Sequence, residues 1–256
     1  MEKVDHPFIH GACPICGWDY YLFLRFVGGK RTLKKIPLFY CMECQSFTCL
    51  SNYVETDEQL KLDTRFHLNH RGGPSTEFDD LVIFLKSKFR GTIAHADIGC
   101  ALGNVVEAFR KVGVKSTGYD INPYIIEAGL KIFPDANLLC RSFGADDRKY
   151  NLVTITDTLE HIRKPFEFIS EIGHYIDRGG ILYISVPRLN KFSWSALKES
   201  IETQFSTSSW PFIDNDVHGL HFSDVGLRKL GERSGFAFIE DSSQPWPING
   251  MLFRKL

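Results

Sequence analysis

The chain has 256 residues, 43% hydrophobic and 24% charged, with a net charge of −1. That is length for one sizeable core with an appendage, or for two small domains, in an ordinary globular composition. A charge so near zero excludes a global pull toward nucleic acid or an anionic membrane; no apolar run nears the ~18 residues of a membrane span, and the first residues, MEKVDHPFIHG, lack the apolar core of a signal peptide. Seven cysteines, an odd number, suit a reducing compartment better than a disulfide framework, so the expected location is cytoplasmic.

The first 55 residues read as knuckle, strand, turn, strand, knuckle: CPICG (13–17), an aromatic run, GGKR (28–31), then LFYCMECQSF (38–47). Cys13-x-x-Cys16 and Cys41-x-x-Cys44 offer four thiolates at a spacing that suits a tetrahedral structural Zn²⁺ with no open position. A segment this small has too little apolar core to fold alone, and the ion supplies the missing stability. A redox dithiol is the alternative, but nothing thioredoxin-like surrounds either pair. Cys49, Cys100 and Cys140 stand outside the set, the last two as small buried residues.

Residues 56–91 form a helical linker or cap. One helix is expected at 56–69, broken by RGGPS (71–75); a second starts near Thr76, with Asp79 at capping-box spacing, and stops at Gly91. From residue 92 short apolar strands alternate with amphipathic helices. Strands are expected at 92–97, 115–120, 136–140, 151–156 and 179–187, and helices at 104–111, 123–133 and 165–177. Such alternation implies crossover units and an α/β fold around a parallel sheet covered on both faces. Helices at 191–204 and 223–234 and strands at 236–241 and 251–254 complete the chain.

The strongest chemical signal is ADIGCALGN (96–104), where a strand ends in Asp97, a loop carries Gly99 and Gly103, and a helix begins. The next strand ends in Asp120, 23 residues after Asp97. Glycines let the backbone approach a ligand, and an acid about 20 residues on accepts from ribose hydroxyls. Dinucleotide binding needs G-x-G-x-x-G, yet Ala101 fills the middle position and Asp97 would repel a phosphate. An acid there suits a cationic ligand.

HADIGCALGNVVEAFRKVG, STGYDINP, YNLVTITDTLEHIRKP and RGGILYISVP, in that order, resemble class I S-adenosylmethionine-dependent methyltransferases over about residues 92–187, and HGLHFSDVGLRKLGERSGF (218–236) extends the likeness more loosely. The resemblance implies a doubly wound, Rossmann-like, mostly parallel sheet over 92–256, with an antiparallel strand near the C-terminus and a small N-terminal zinc ribbon over 1–55. It implies that Asp97, Gly99 and Gly103 shape the methionine end of the S-adenosylmethionine pocket and that Asp120 holds the ribose hydroxyls. Ile121, Ser142 and Phe143 would flank the adenine, and Asp157 would line the floor.

In NLVTITDTLEHI (151–162) an apolar strand stops on Asp157, Glu160 and His161, at the carboxyl end where the active-site rim of this fold lies; His218 and His221 come later. Three readings stand. The set Asp157/Glu160/His161/His221 resembles the metal site of small-RNA 2′-O-methyltransferases, with Asp157 one methylene shorter than the glutamate found there, and two oxygens with two imidazoles suit Mg²⁺ or Mn²⁺. Without metal, His161 or His221 serves as general base, with Glu160 beside it. In the third reading the segment only lines the cofactor.

Many bacterial methyltransferases acting on sugars and small metabolites carry a similar four-cysteine segment, so the resemblance implies a hydroxyl or carbon of a small, sugar-containing acceptor. Some ribosomal RNA methyltransferases carry a zinc knuckle too, and GGKRTLKK (28–35) would touch phosphate there, making nucleic acid the alternative partner. A non-catalytic zinc-ribbon adaptor that retains the fold is the third alternative. Residues 191–217, with Trp194 and Trp210, sit where this fold carries a lid over the acceptor pocket.

Overall fold

The computed structural model describes residues 8–28, 35–49, 56–73, 75–145, 147–189, 218–242 and 249–256. The first elements are β1 (Phe8–His10), β2 (Tyr20–Gly28), β3 (Lys35–Cys41), β4 (Ser46–Cys49), α1 (Asp57–Arg71) and α2 (Asp79–Lys86). The alternating part follows as β5 (Ala94–Ile98), α3 (Asn104–Lys111), β6 (Lys115–Asp120), α4 (Pro123–Ile132), β7 (Leu138–Cys140) and β8 (Tyr150–Thr156). Then come a 3-10 turn (Leu159–His161), α5 (Pro165–Gly173), β9 (Ile176–Ser185), β10 (Leu220–His221), α6 (Asp224–Arg233), β11 (Phe236–Asp241) and β12 (Met251–Lys255). The expected helix at 191–204, Trp194, Trp210 and most of the GGKRTLKK turn lie outside the described residues.

The chain divides into two units. One combines Met1–Tyr53, Leu159–Phe168 and Val186–Ser234; the other combines Val54–Thr158, Ile169–Ser185 and Gly235–Leu256.

The second unit is built on a seven-stranded sheet of order β11-β12-β9-β8-β5-β6-β7. Strands β5 to β9 pair in parallel, while β12 runs antiparallel to both β9 and β11. Its inner strands are buried without alternation, β8 over residues 152–155 and β9 over residues 180–185, as expected of a parallel sheet covered on both faces. Phe78, Leu81, Val82 and Leu85 around α2 and Val105 and Phe109 of α3 form one core with Leu152, Ile181, Tyr183 and Leu252. Leu102, Val106, Ile125, Ile126, Phe133 and Leu138 belong to another. Chain order reverses at β5, with β6 and β7 on one side and β8 and β9 on the other. Crevices beyond the carboxyl ends of strands at such a switch point are where ligands bind in open α/β sheets.

Local signals explain most boundaries. Asn122 caps α4 by accepting from the Tyr124 and Ile125 amides, and Pro123 opens the helix at a position needing no N–H partner. Thr56 and Gln59 form a reciprocal capping box at α1. The expected start of α2 at Thr76 is corrected: the Asp79 amide donates to the Thr76 carbonyl at 3.0 Å in a turn, Phe78 is buried in the core, and the helix begins at Asp79 without a side-chain cap. Helix α5 ends at Gly173 rather than near 177 because residues from Ile176 already pair beside Tyr150. Cys140, expected to be buried, is exposed at the end of β7.

The first unit carries a five-stranded antiparallel sheet of order β1-β2-β3-β4-β10. Its last strand comes from far along the chain: Leu220 pairs with Thr48 and His221 with Phe47. Ser223 caps α6 by accepting from the Gly226 amide at 2.9 Å, and its hydroxyl donates to the Cys44 carbonyl. Gly226 has no room for a side chain, since a Cβ would lie 2.2 Å from the Ser46 hydroxyl. The second cysteine knuckle is therefore packed against α6.

Candidate active site

The loop after β5 is shaped by three left-handed residues: Gly99, Ala101 and Gly103 have φ of 71°, 48° and 86°. A Cβ on Gly99 would sit 2.2 Å from the Thr158 hydroxyl oxygen, and one on Gly103 would sit 2.7 Å from a Leu138 methyl. Glycine alone fits both places. Ala101 holds its conformation at a strain cost of about 1 kcal/mol or more. That conformation aims its amide at Asp120, whose Oδ2 accepts the bond at 3.0 Å, while Oδ1 accepts from the Asn122 amide at 2.9 Å. The Asp120 carboxylate is thereby oriented at the end of β6. Burial raises its pKa, and the donated amides oppose the rise.

Asp97 is 1% exposed at the end of β5. It accepts a hydrogen bond from the Thr154 hydroxyl at 2.6 Å. Behind Thr154 lies buried His95, with Nε2 at 2.9 Å from the Thr154 hydroxyl and Nδ1 at 2.7 Å from the Ser116 hydroxyl. With Thr154 donating to Asp97, its oxygen accepts from His95 Nε2–H and Nδ1 accepts from Ser116. Burial pushes Asp97 up to about 7, Asp120 adds to the rise, and the Thr154 bond counters it. Burial holds His95 neutral, down at about 3. A buried carboxyl beside a loop that admits only glycine at two of its three left-handed positions fits the cationic end of a ligand.

Helix α1 and the end of β8 complete this part of the site. Asp157 has a left-handed backbone, φ 47°, and its Oδ2 lies 3.6 Å from Arg71 Nη2 at the end of α1. Asn104, the first residue of α3, donates from Nδ2 to the Arg71 carbonyl at 3.3 Å. Toward the other end of α1, Asn122 Nδ2 donates to the Leu60 carbonyl at 3.0 Å, while the Asn122 Oδ1 caps α4. Ile121 is 68% exposed and Ser142 is also exposed, whereas Phe143 packs edge-on against Tyr119 at 5.1 Å and near Tyr175 at 5.4 Å. Arg71 and Asn122 join the site residues expected from the sequence. The Asn122-Pro123 dipeptide is a readable cap signal, and Arg71 carries none.

In the first unit Cys13, Cys16, Cys41 and Cys44 converge, all four sulfurs within 4.8 Å of one another. Cys13 and Cys44 Sγ are 3.7 Å apart and Cys16 and Cys41 Sγ are 3.6 Å apart. Four thiolates at the ~2.3 Å zinc–sulfur distance in a tetrahedron have sulfurs about 3.8 Å apart, so the cage fits the ion.

A second group in this unit is Glu160, His161 and His218, again within 4.8 Å, with the two imidazole centroids 4.7 Å apart at 79°. The set expected from sequence is corrected here, because the imidazole that joins Glu160 and His161 is that of His218, not His221. His221 is 6% exposed within the antiparallel sheet, with Nε2 3.7 Å from Cys49 Sγ. Desolvation first, and then the nearby His218, push it down to about 3, too low for a general base near neutral pH. Asp157 belongs to the other unit, in its pair with Arg71.

Residues 72–241 match a family model described as a methyltransferase domain. The chain belongs to that methyltransferase-domain family. Among curated relatives it is similar to the ubiquinone biosynthesis O-methyltransferase of Serratia proteamaculans, at 24% identity over 106 residues, 38% of this chain and 44% of that protein. This methyltransferase chain thus spans less than half the length of the curated relatives it matches. In fold it is similar to magnesium protoporphyrin IX methyltransferase of Synechocystis PCC 6803 with bound SAH (TM-score 0.53, 15% identity, 80% of this chain and 90% of that one). The plantazolicin methyltransferase BpumL, in complex with a monoazolic desmethylPZN analog and SAH, gives 0.56 at 16% identity, covering 78% of this chain and 91% of that one. Among the described residues no helix is long and apolar enough to cross a membrane.

Proposed function

We propose that the protein transfers the methyl group of S-adenosylmethionine to a hydroxyl or carbon of a small, sugar-containing acceptor. The observation that carries this reading is the pair of carboxyls, Asp97 and Asp120, flanking a loop whose left-handed turns admit only glycine at two places. Asp120, oriented by two backbone amides, accepts from the ribose hydroxyls. Asp97, Gly99 and Gly103 shape the methionine end, Ile121 lies against the adenine with Ser142 and Phe143 nearby, and Asp157 lines the floor.

When bound, S-adenosylmethionine supplies a sulfonium methyl that an acceptor lone pair takes by direct displacement, leaving a neutral thioether. The residues of this chain align the nucleophile and accept its proton. His161, exposed on its turn beside Glu160 and His218, takes the hydroxyl proton on its imidazole, and Glu160 stabilises the resulting charge. His221 has no part as base. Cys13, Cys16, Cys41 and Cys44 hold a structural Zn²⁺. The names of the relatives, a ubiquinone-biosynthesis, a protoporphyrin and a plantazolicin methyltransferase, favour a small-molecule acceptor over nucleic acid. The four-cysteine segment favours a sugar among small molecules, by its resemblance to bacterial sugar methyltransferases.

The test is label transfer from methyl-tritiated S-adenosylmethionine into a dialysed lysate with its small-molecule pool restored, with and without EDTA. Label in the low-molecular-weight fraction, unaffected by EDTA, is expected. Label in RNase-sensitive polymer, abolished by EDTA and restored by Mg²⁺ or Mn²⁺, would replace this reading with metal-assisted RNA methylation.

A further inference from the structure

Glu160 and His161 lie on one stretch of chain and His218 on another, yet the two imidazole centroids are only 4.7 Å apart. Each stretch is anchored to a different cysteine knuckle, and all of these residues belong to the same compact unit.

The first knuckle reaches the His161 stretch through Arg233. Gly17, next to Cys16, has φ 81°, and a Cβ there would lie 2.8 Å from the Arg233 guanidinium carbon. The same guanidinium lies over the Phe166 ring, 3.9 Å from its centroid. Phe166 belongs to the 159–168 stretch that carries Glu160 and His161. A planar cation stacked on an aromatic ring, with bare backbone against it, sets one separation between that stretch and the knuckle.

The second knuckle reaches the His218 stretch through hydroxyls and strand pairing. The Ser223 hydroxyl donates to the Cys44 carbonyl, and the Ser223 amide donates to the Ser46 hydroxyl at 3.1 Å. The Cys49 amide donates at 2.8 Å to the carbonyl of Gly219, the residue after His218, and Leu220 pairs with Thr48. Lys229 of α6 adds a bond to the Glu43 carbonyl at 3.2 Å. The knuckles in turn meet at their sulfurs, each close pair crossing from one to the other: Cys13 with Cys44 at 3.7 Å and Cys16 with Cys41 at 3.6 Å. Thiolates that close repel one another, and a bound cation turns the repulsion into a joint.

We infer that the four-cysteine cage, closed on zinc, is a clamp that sets His218 against Glu160 and His161, with Arg233 and Ser223 as its positioning residues. The clamp bears on the reaction through His161 and so rests on the reading of His161 as base. It gives the zinc segment a part in shaping the site, beyond holding its own fold.

The experiment compares the zinc-loaded full chain, the same chain unfolded and refolded with chelator to remove zinc, and zinc-loaded Ser223→Ala and Arg233→Met. A closed four-thiolate site has no open position for a chelator, so the brief EDTA of the transfer assay leaves it loaded. The readouts are the nuclear Overhauser cross-peak between the His161 and His218 ring protons, zinc content, and the dissociation constant of S-adenosylhomocysteine. Zinc removal is expected to abolish the cross-peak, and each substitution to reduce it by half or more with zinc retained. S-adenosylhomocysteine affinity is expected to stay within about twofold in each variant, because distant sites act independently; this also shows that the variants are folded. A cross-peak of full intensity in the zinc-free chain would overturn the clamp, and one in either zinc-loaded variant would remove that residue's role. Label transfer by His161→Gln equal to wild type would overturn the base reading instead, with the ring contact and its zinc dependence left as found.

Discussion

Asp97→Asn removes a charge while keeping shape, so its effect on stability reports the electrostatics of the site. In the folded protein the carboxyl is fully buried, accepts its hydrogen bond from Thr154, and titrates at about 7 against an ordinary 3.8. A carboxyl whose folded pKa is raised binds its proton more tightly in the folded than in the unfolded chain. Its contribution is fully present below about pH 3.8 and is lost as pH rises toward about 7. Integrated from pH 5 to pH 8, that loss amounts to about 2–3 kcal/mol, at about 1.4 kcal/mol per pH unit while the two states differ by one proton. Asparagine accepts the same bond from Thr154 without ionising. The assay is urea unfolding of wild type and Asp97→Asn across that pH range, read as the difference between them, in which groups such as His221 cancel. The variant should gain about 2–3 kcal/mol on wild type between pH 5 and pH 8. A difference independent of pH, or one falling as pH rises, would refute the reasoning.

Other predictions follow from single contacts. Gly99→Ala places a methyl 2.2 Å from the Thr158 hydroxyl at φ 71°, and should destabilise by about 1–3 kcal/mol and weaken S-adenosylhomocysteine at least tenfold in calorimetry. Cys44→Ser opens the four-sulfur cage; metal analysis should show loss of zinc, and stability should fall by at least about 3 kcal/mol, because metal binding and folding are coupled in such modules. Asn122→Ala deletes the α4 cap and the side-chain donor to α1 together, and should cost about 1–2 kcal/mol in thermal or urea unfolding.

Local signals in the chain were enough to locate the sheet and the glycine loop. The bounds of α3 and β6 agree with expectation because each is set nearby, by Gly103 before the helix and by a strand closing on Asp120. The four cysteines were readable because two C-x-x-C pairs constrain one another. What escaped depends on contacts made far along the chain. His218 and His221 are three residues apart and equivalent as sequence, yet pairing of Leu220 and His221 with β4 buries one imidazole and leaves the other beside Glu160. The start of α2 moved because burial of Phe78 outweighed a weak capping signal. Arg71, one of several basic residues on a polar helix, gains meaning only where the end of α1 reaches Asp157 and Asn104.

The central claim is that the crevice at the ends of β5 and β6 holds S-adenosylmethionine. The most direct measurement is calorimetric titration of S-adenosylhomocysteine into the full chain and into Asp120→Ala. One molecule should bind each wild-type chain, and removing the carboxylate proposed to accept from the ribose should weaken binding about 10- to 100-fold. Absence of binding to wild type, or equal affinity in the two proteins, would contradict the account.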